Sequence, residues 1–133
     1  FALAPEGTRS KTGYMQPAKD GAAYLASQAG VPILPVGISN TDVLFASARR
    51  LRRATITMRI GRPFELPDLG RRARGRDLTA YTCLIMTHIA ALVEPRHRGV
   101  YGDTPAFDAL LAGGDPWPHC QATAESATTT LTE

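Results

Sequence analysis

The chain has 133 residues, 44% of them hydrophobic, and 15 Lys and Arg against 12 Asp and Glu give it a formal net charge of +3. That length suits one domain with a modest core. No apolar run approaches the roughly 18 residues needed to span a bilayer, and no signal peptide is visible, so membrane contact by these residues is expected to be peripheral. A mild basic balance suits anionic substrates or anionic lipid surfaces, although most basic surfaces are only solvated.

Residues 1–4 read as the end of a buried strand, closed by Pro5 and turned at Gly7. Glu6, Thr8, Arg9 and Ser10 then project polar groups from the turn. An Arg fork pairs with two phosphate oxygens at once. Thr8, Ser10 and the amides around Gly7 are further donors, so the turn is a candidate phosphate site. Lys19 is a second-rank phosphate partner.

Residues 11–17 read as a loop and residues 18–29 as a helix, with Pro17 suited to a first helical position. Ala22, Leu25, Ala26 and Ala29 form a narrow apolar stripe at helical spacing, and Gly30 is the expected stop. Residues 31–38 have strand length, but Pro32 and Pro35 each remove a ladder donor, so the strand is expected at an edge or irregular. Asn40, Thr41 and Asp42 are placed to cap a short helix through Ala48. After Arg49, Arg50, Arg52 and Arg53, residues 54–60 alternate. Ile56, Met58 and Ile60 face one side and Thr55, Thr57 and Arg59 the other, as in a half-buried strand. Gly61, Arg62 and Pro63 end it.

Residues 67–76 form a polar loop rich in Arg, and Asp77 is the expected N-cap of a helix over 78–94. Leu78, Tyr81, Ile85, Ile89 and Leu92 mark its buried face, with His88 beside them in a structural role. Residues 95–102 are rich in turn formers, residues 105–112 suit a short helix, and from Gly113 onward little is available to bury, which reads as a disordered tail. Cys83 and Cys120 are too few and too far apart for a disulfide framework or a metal site. Cys83 reads as a small buried hydrophobe, and the pair fits a reducing compartment.

The chain has no G-x-x-x-x-G-K-[ST], no G-x-G-x-x-G and no G-x-S-x-G, which argues against a nucleotide P-loop, a dinucleotide site and an acyl-serine elbow. Arg49, Arg50, Arg52, Arg53, Arg59 and Arg62, followed by the arginines of 71–76, suit a phosphate backbone. Aromatic residues that would stack bases are scarce there, with Phe64 alone nearby. The same arginines suit anionic lipid headgroups, at about 1 kcal/mol for each well-placed charge.

Pro5-Glu6-Gly7-Thr8-Arg9-Ser10 resembles the P-E-G-T-R-S block of the glycerolipid acyltransferases. Met15-Gln16-Pro17-Ala18-Lys19-Asp20-Gly21-Ala22-Ala23 resembles that family's lead into its next helix. Val31-Pro32-Ile33-Leu34-Pro35-Val36-Gly37-Ile38 resembles its following apolar block, and Arg98-Gly99-Val100-Tyr101 the domain's ending. Ala4 stands where Phe is usual. The family's catalytic H-x-x-x-x-D lies upstream of the P-E-G-T-R-S block, and none of His88, His97 and His119 has an Asp five positions later.

The resemblance implies an α/β fold, a mixed β-sheet flanked by helices, with the N-terminal half missing. Residues 1–102 would be the C-terminal part of the acyltransferase domain, and 103–133 a short helix and disordered tail. The implied reaction moves a fatty acyl group from acyl-CoA or acyl-carrier protein to a lysophospholipid such as 1-acylglycerol 3-phosphate, in phospholipid biosynthesis. It implies no cofactor beyond the thioester donor and no metal. The catalytic His and Asp are expected upstream, so this fragment alone would be inactive. The acceptor phosphate would be bound by Glu6, Gly7, Thr8, Arg9, Ser10 and Lys19, with Glu6 orienting Arg9 or bonding the glycerol. The expected location is the cytoplasmic face of an anionic membrane, peripheral or anchored by the missing N-terminal part, with no nucleic-acid partner. The alternative is a non-catalytic basic domain that binds anionic lipid or nucleic acid.

Overall fold

The computed structural model describes residues 1–8, 10, 12–41, 53 and 55–129. Arg9, Lys11, residues 42–52, Ala54 and residues 130–133 fall outside that set. The short helix expected through Ala48 and Arg49, Arg50 and Arg52 therefore lie outside the described residues.

The chain is α/β. In order come α1 (Gly21–Ala29), β1 (Val36–Ser39), β2 (Thr57–Ile60), α2 (Arg76–Ala90), two 3-10 turns (Pro95–His97 and Gly99–Tyr101), α3 (Pro105–Leu111) and α4 (Trp117–Thr129). Among the described residues the sheet is two antiparallel strands, not the mixed sheet expected, with Val36 opposite Ile60 and Ser39 opposite Thr57. Residues 1–4 are exposed and outside any strand, which differs from the buried strand end expected there.

Prolines shape β1 as their chemistry requires. An isolated bridge joins Ile33 to Phe64. Pro35, which has no N–H to donate, still accepts a 2.9 Å bond from the Gly61 amide. The regular ladder begins at Val36, because a proline cannot complete a paired rung.

The alternation of β2 is present, but its apolar face is the open one. Gly37 and Ser39 of β1 are buried against the chain that follows α2. A Cβ on Gly37 would lie 2.7 Å from the Leu92 Cβ, so the strand reaches this segment only with glycine there. Ser39 Oγ accepts the Glu94 amide at 3.2 Å, and Arg59 donates to the Leu92 carbonyl at 3.3 Å. Small and polar residues thus occupy the covered side, and Ile38, Met58 and Ile60 point outward, with Met58 61% and Ile60 63% exposed. This corrects the expectation that Ile56, Met58 and Ile60 would be buried.

The core is built on α2. Met86 and Ala90 pack with Met15, Val93 and Phe107. Tyr81 and Ile85 pack with Ala23 and Ala73, and Leu84 packs with Ala106 and Cys120. The helix starts at Arg76 and ends at Ala90, shorter at its end than the expected 78–94. Asp77 lies in its first turn and is not the N-cap. Its carboxylate takes both Arg71 guanidinium nitrogens, at 2.7 and 2.9 Å, and the Arg74 amide at 3.1 Å. The bond from Arg71 holds this carboxyl below the usual range.

Helix α1 begins at Gly21, so Pro17 precedes it and does not occupy its first turn. It buries Ala23 against Tyr81 and Ile85, whereas Leu25 of the expected stripe is exposed. One small residue sets this close approach. Gly30 ends the helix as expected, with φ +59° and its amide on the Ala26 carbonyl at 3.0 Å.

Helix α3 fits the expected short helix, with Thr104 Oγ1 accepting the Phe107 amide at 3.2 Å and Pro105 in the first turn. The expected disordered tail is corrected. Residues 117–129 form α4, which packs on α2 through Trp117, Cys120 and Ala124. Trp117 stacks on Tyr81 with ring centroids 5.2 Å apart. Cys83 and Cys120 form a disulfide across 37 residues, with Cα atoms 5.5 Å apart. Cys83 is therefore not a free buried thiol, and the cysteines no longer favour a reducing compartment. Among the described residues no helix is long and apolar enough to cross a membrane.

Candidate functional site

The turn at Gly7 is a built structure. Gly7 has φ +65°, the left-handed conformation that a side chain disfavours, and its amide closes the turn on the Ala4 carbonyl at 3.1 Å. The Lys19 amide donates to the Pro5 carbonyl at 3.0 Å. Lys19's stem then runs beside the turn, since a Cβ on Gly7 would lie 3.5 Å from Lys19 Cδ and 3.9 Å from Nζ. The structure thus brings a left-handed glycine and an exposed ammonium together, although they lie twelve positions apart.

The other expected ligands divide. Thr8 is exposed on the turn. Ser10 Oγ donates to the Tyr14 carbonyl at 2.7 Å, so its proton is engaged within the loop. Glu6 is half-buried, and its Oε2 accepts the Gln16 amide at 3.1 Å. Its visible work is to fasten the turn to the next segment. Arg9 lies outside the described residues.

That next segment, residues 13–20, is itself held from far along the chain. The Met15 amide donates to the His97 carbonyl at 2.8 Å. His97 Nδ1 lies 2.7 Å from the Gly13 carbonyl, and Nε2 3.2 Å from Asn40 Oδ1, which also accepts from Arg96. The Ala18 amide donates to the Tyr101 hydroxyl at 2.9 Å. Asp20 accepts from Thr82 at 2.6 Å and Thr79 at 3.3 Å, tying the entry of α1 to α2. Burial first, then the charges of Glu6 and Asp20, push the Tyr101 phenol above its usual range, so it stays protonated. Sequence reasoning missed Asp20, His97 and Tyr101 as supports. The one sequence signal was the Arg98-Gly99-Val100-Tyr101 block.

Several arginines of the basic stretch have partners. Arg59 meets the Leu92 carbonyl, Arg71 meets Asp77, and Arg72 meets the Tyr24 hydroxyl at 3.1 Å. Phe64 is stacked on His88 at 4.0 Å, and burial lowers the pKa of that imidazole. An open cleft of about 210 Å³ lies between the end of α1 and the 65–73 loop, lined by Ala26, Gly30, Leu69, Arg72 and Tyr81 among others. Both charge signs reach its wall, and it is separate from the 5–10 turn. Among the described residues no group of three or more His, Cys, Asp and Glu is placed to hold a metal.

The family described as Acyltransferase matches residues 1–39, the stretch that contains the turn, α1 and β1. Among curated proteins, the 1-acyl-sn-glycerol-3-phosphate acyltransferase of Cocos nucifera is 38% identical over 65 residues, 48% of this chain and 21% of that protein. The Salmonella typhimurium protein of the same name is 35% identical over 82 residues, 62% of this chain and 33% of its own length. The human protein named 1-acyl-sn-glycerol-3-phosphate acyltransferase beta is 40% identical over 121 residues, 86% of this chain and 38% of its own. These matches support the glycerolipid acyltransferase family as the family of this chain. The chain spans about a fifth to two fifths of the length of these relatives. No solved structure matches it significantly.

Proposed function

We propose that residues 1–102 are the C-terminal, acceptor-recognising part of a glycerolipid acyltransferase domain. In this reading the enzyme carries a fatty acyl group from acyl-CoA or acyl-carrier protein to the free hydroxyl of a lysophospholipid such as 1-acylglycerol 3-phosphate. The hydroxyl oxygen attacks the thioester carbonyl, the carbon–sulfur bond breaks, and the hydroxyl proton passes to a general base. That base is the His of an H-x-x-x-x-D motif outside this chain, oriented by its Asp. The thiol leaves, and no cofactor beyond the donor is needed.

The observation that carries the reading is the left-handed turn at Gly7 with Lys19 laid beside it, inside the stretch that matches the family. Arg9 and Lys19 are the proposed phosphate partners, with Thr8 and the turn amides as donors. Ser10 has a lesser part, because its proton is engaged by Tyr14. Glu6 acts through the loop it fastens. Peripheral contact with an anionic membrane at its cytoplasmic face completes the proposal. The engaged arginines and the stacked Phe64 weigh against a nucleic-acid surface, which needs free cations and open aromatic faces.

The test is Arg9→Ala in a full-length protein containing this chain. A charge-assisted hydrogen bond of about 1.5–3 kcal/mol corresponds to roughly 10–150-fold in the specificity constant for the acceptor. The acceptor KM is expected to rise far more than the thioester KM. Equal effects on both would contradict the proposal. The isolated 133-residue chain is expected to show no turnover, because a positioned general base contributes about 10²–10⁴-fold.

A further inference from the structure

We propose that Tyr101 is a positioning residue for the acceptor phosphate site, acting through the 13–20 segment and touching no substrate. The inference rests on the reading of the 5–10 turn as that site. The geometry is a relay of backbone amides. Tyr101 Oη accepts the Ala18 amide at 2.9 Å. On one side of Ala18, the Gln16 amide holds Glu6 of the turn at 3.1 Å. On the other, the Lys19 amide holds the Pro5 carbonyl at 3.0 Å, and the Lys19 side chain passes Gly7. The two bonds that fasten the turn therefore flank the residue that Tyr101 holds.

The same 3-10 turn grips the segment a second time. Gly99 has φ +53°, and a Cβ there would collide with the Met15 carbonyl. The Met15 amide is bonded to the His97 carbonyl at 2.8 Å. Residues 97–101 thus seat the segment at Met15 and Ala18, from more than eighty residues away. Tyr101 also packs its ring against the core around Met15 and Phe107. A Phe in its place keeps that packing and removes only the acceptor for the Ala18 amide, so the hydroxyl can be tested apart from the ring.

The experiment uses the 133-residue chain and its Tyr101→Phe variant, with sn-glycerol 3-phosphate as the probe. Amide hydrogen exchange and amide shift titration are followed by NMR. Loss of one such bond is expected to speed exchange at Gly7, Gln16, Ala18 and Lys19 by about fivefold to tenfold. Amides in the middle of α2 should be unchanged. The apparent Kd for the probe should rise by a similar factor. Faster exchange confined to Ala18 would overturn the relay. Faster exchange at all four amides with a Kd within twofold would overturn the positioning role. A wild-type chain whose Gly7 and Thr8 amides do not respond to the probe would sink the acceptor-site reading itself, and the relay would show separately in the exchange rates. A general fall in α2 protection in Tyr101→Phe would make Tyr101 a stability residue and contradict the proposal.

Discussion

Gly37 and Gly7 show how single residues decide this structure. Gly37 has no room for a side chain, since a Cβ would lie 2.7 Å from Leu92 Cβ and 2.9 Å from its carbonyl carbon. Gly37→Ala is expected to destabilise the chain by about 1–3 kcal/mol, the range for overpacking a close contact, and thermal unfolding would show it. His88 gives a pH dependence. Burial holds its folded pKa below the ordinary imidazole value of 6.5, so the unfolded chain binds the proton more readily. Its contribution is complete above the unfolded value and is lost as pH falls towards the folded one. The melting temperature is expected to fall on acidification below about pH 6.5, with a shallower slope in His88→Phe, which keeps a ring against Phe64. Equal slopes would refute this. The turn at Gly7 was legible because glycine at a polar break is a local signal, whereas Lys19 reaches it through a contact twelve positions along the chain. The work of Glu6 was not, because its partner is the backbone amide of Gln16, which no side-chain pattern reveals.

The elements were legible where their period was full and obscure where it was sparse. The late start of β1, at Val36 after an isolated bridge at Ile33, follows from Pro32 and Pro35, and the stop at Gly30 from its left-handed freedom. The alternation of 54–60 was visible, but which face is covered depends on Gly37, Ser39 and the chain after α2, a non-local fact. Helix α4 was missed because its stripe is only Trp117, Cys120 and Ala124 on an otherwise polar, small-residue background. The disulfide to Cys83 adds a covalent tie to the packing of α4 on α2. A bridge closing such a loop typically contributes about 2–4 kcal/mol. The double variant Cys83→Ala/Cys120→Ala is therefore expected to melt several degrees lower under oxidising conditions. Reductant should lower the wild-type melting temperature towards that of the variant and leave the variant unmoved. A wild type insensitive to reductant, with no difference between the two, would contradict a stabilising bridge.

At the scale of the molecule, α2 is the common support: α1, α3, α4 and β1 all pack on it, and the 13–20 segment is hung between α1 and the 97–101 turns. The outer face of the sheet carries exposed Ile38, Met58 and Ile60. Ile60→Lys is expected to change stability by no more than about 0.5 kcal/mol, because a largely exposed side chain has little burial to lose. A clear fall in melting temperature would show that this face is covered.

The Gly7 turn is proposed to recognise the phosphate of the acceptor. The most direct measurement compares 1-acylglycerol 3-phosphate with 1-acylglycerol, the same acceptor without phosphate, in a full-length protein containing this chain and in its Arg9→Ala variant. The phosphate-bearing acceptor is expected to lose roughly 10–150-fold in kcat/KM while the phosphate-free one is little changed, so that the preference collapses. An equal loss for both acceptors would contradict phosphate recognition at this turn.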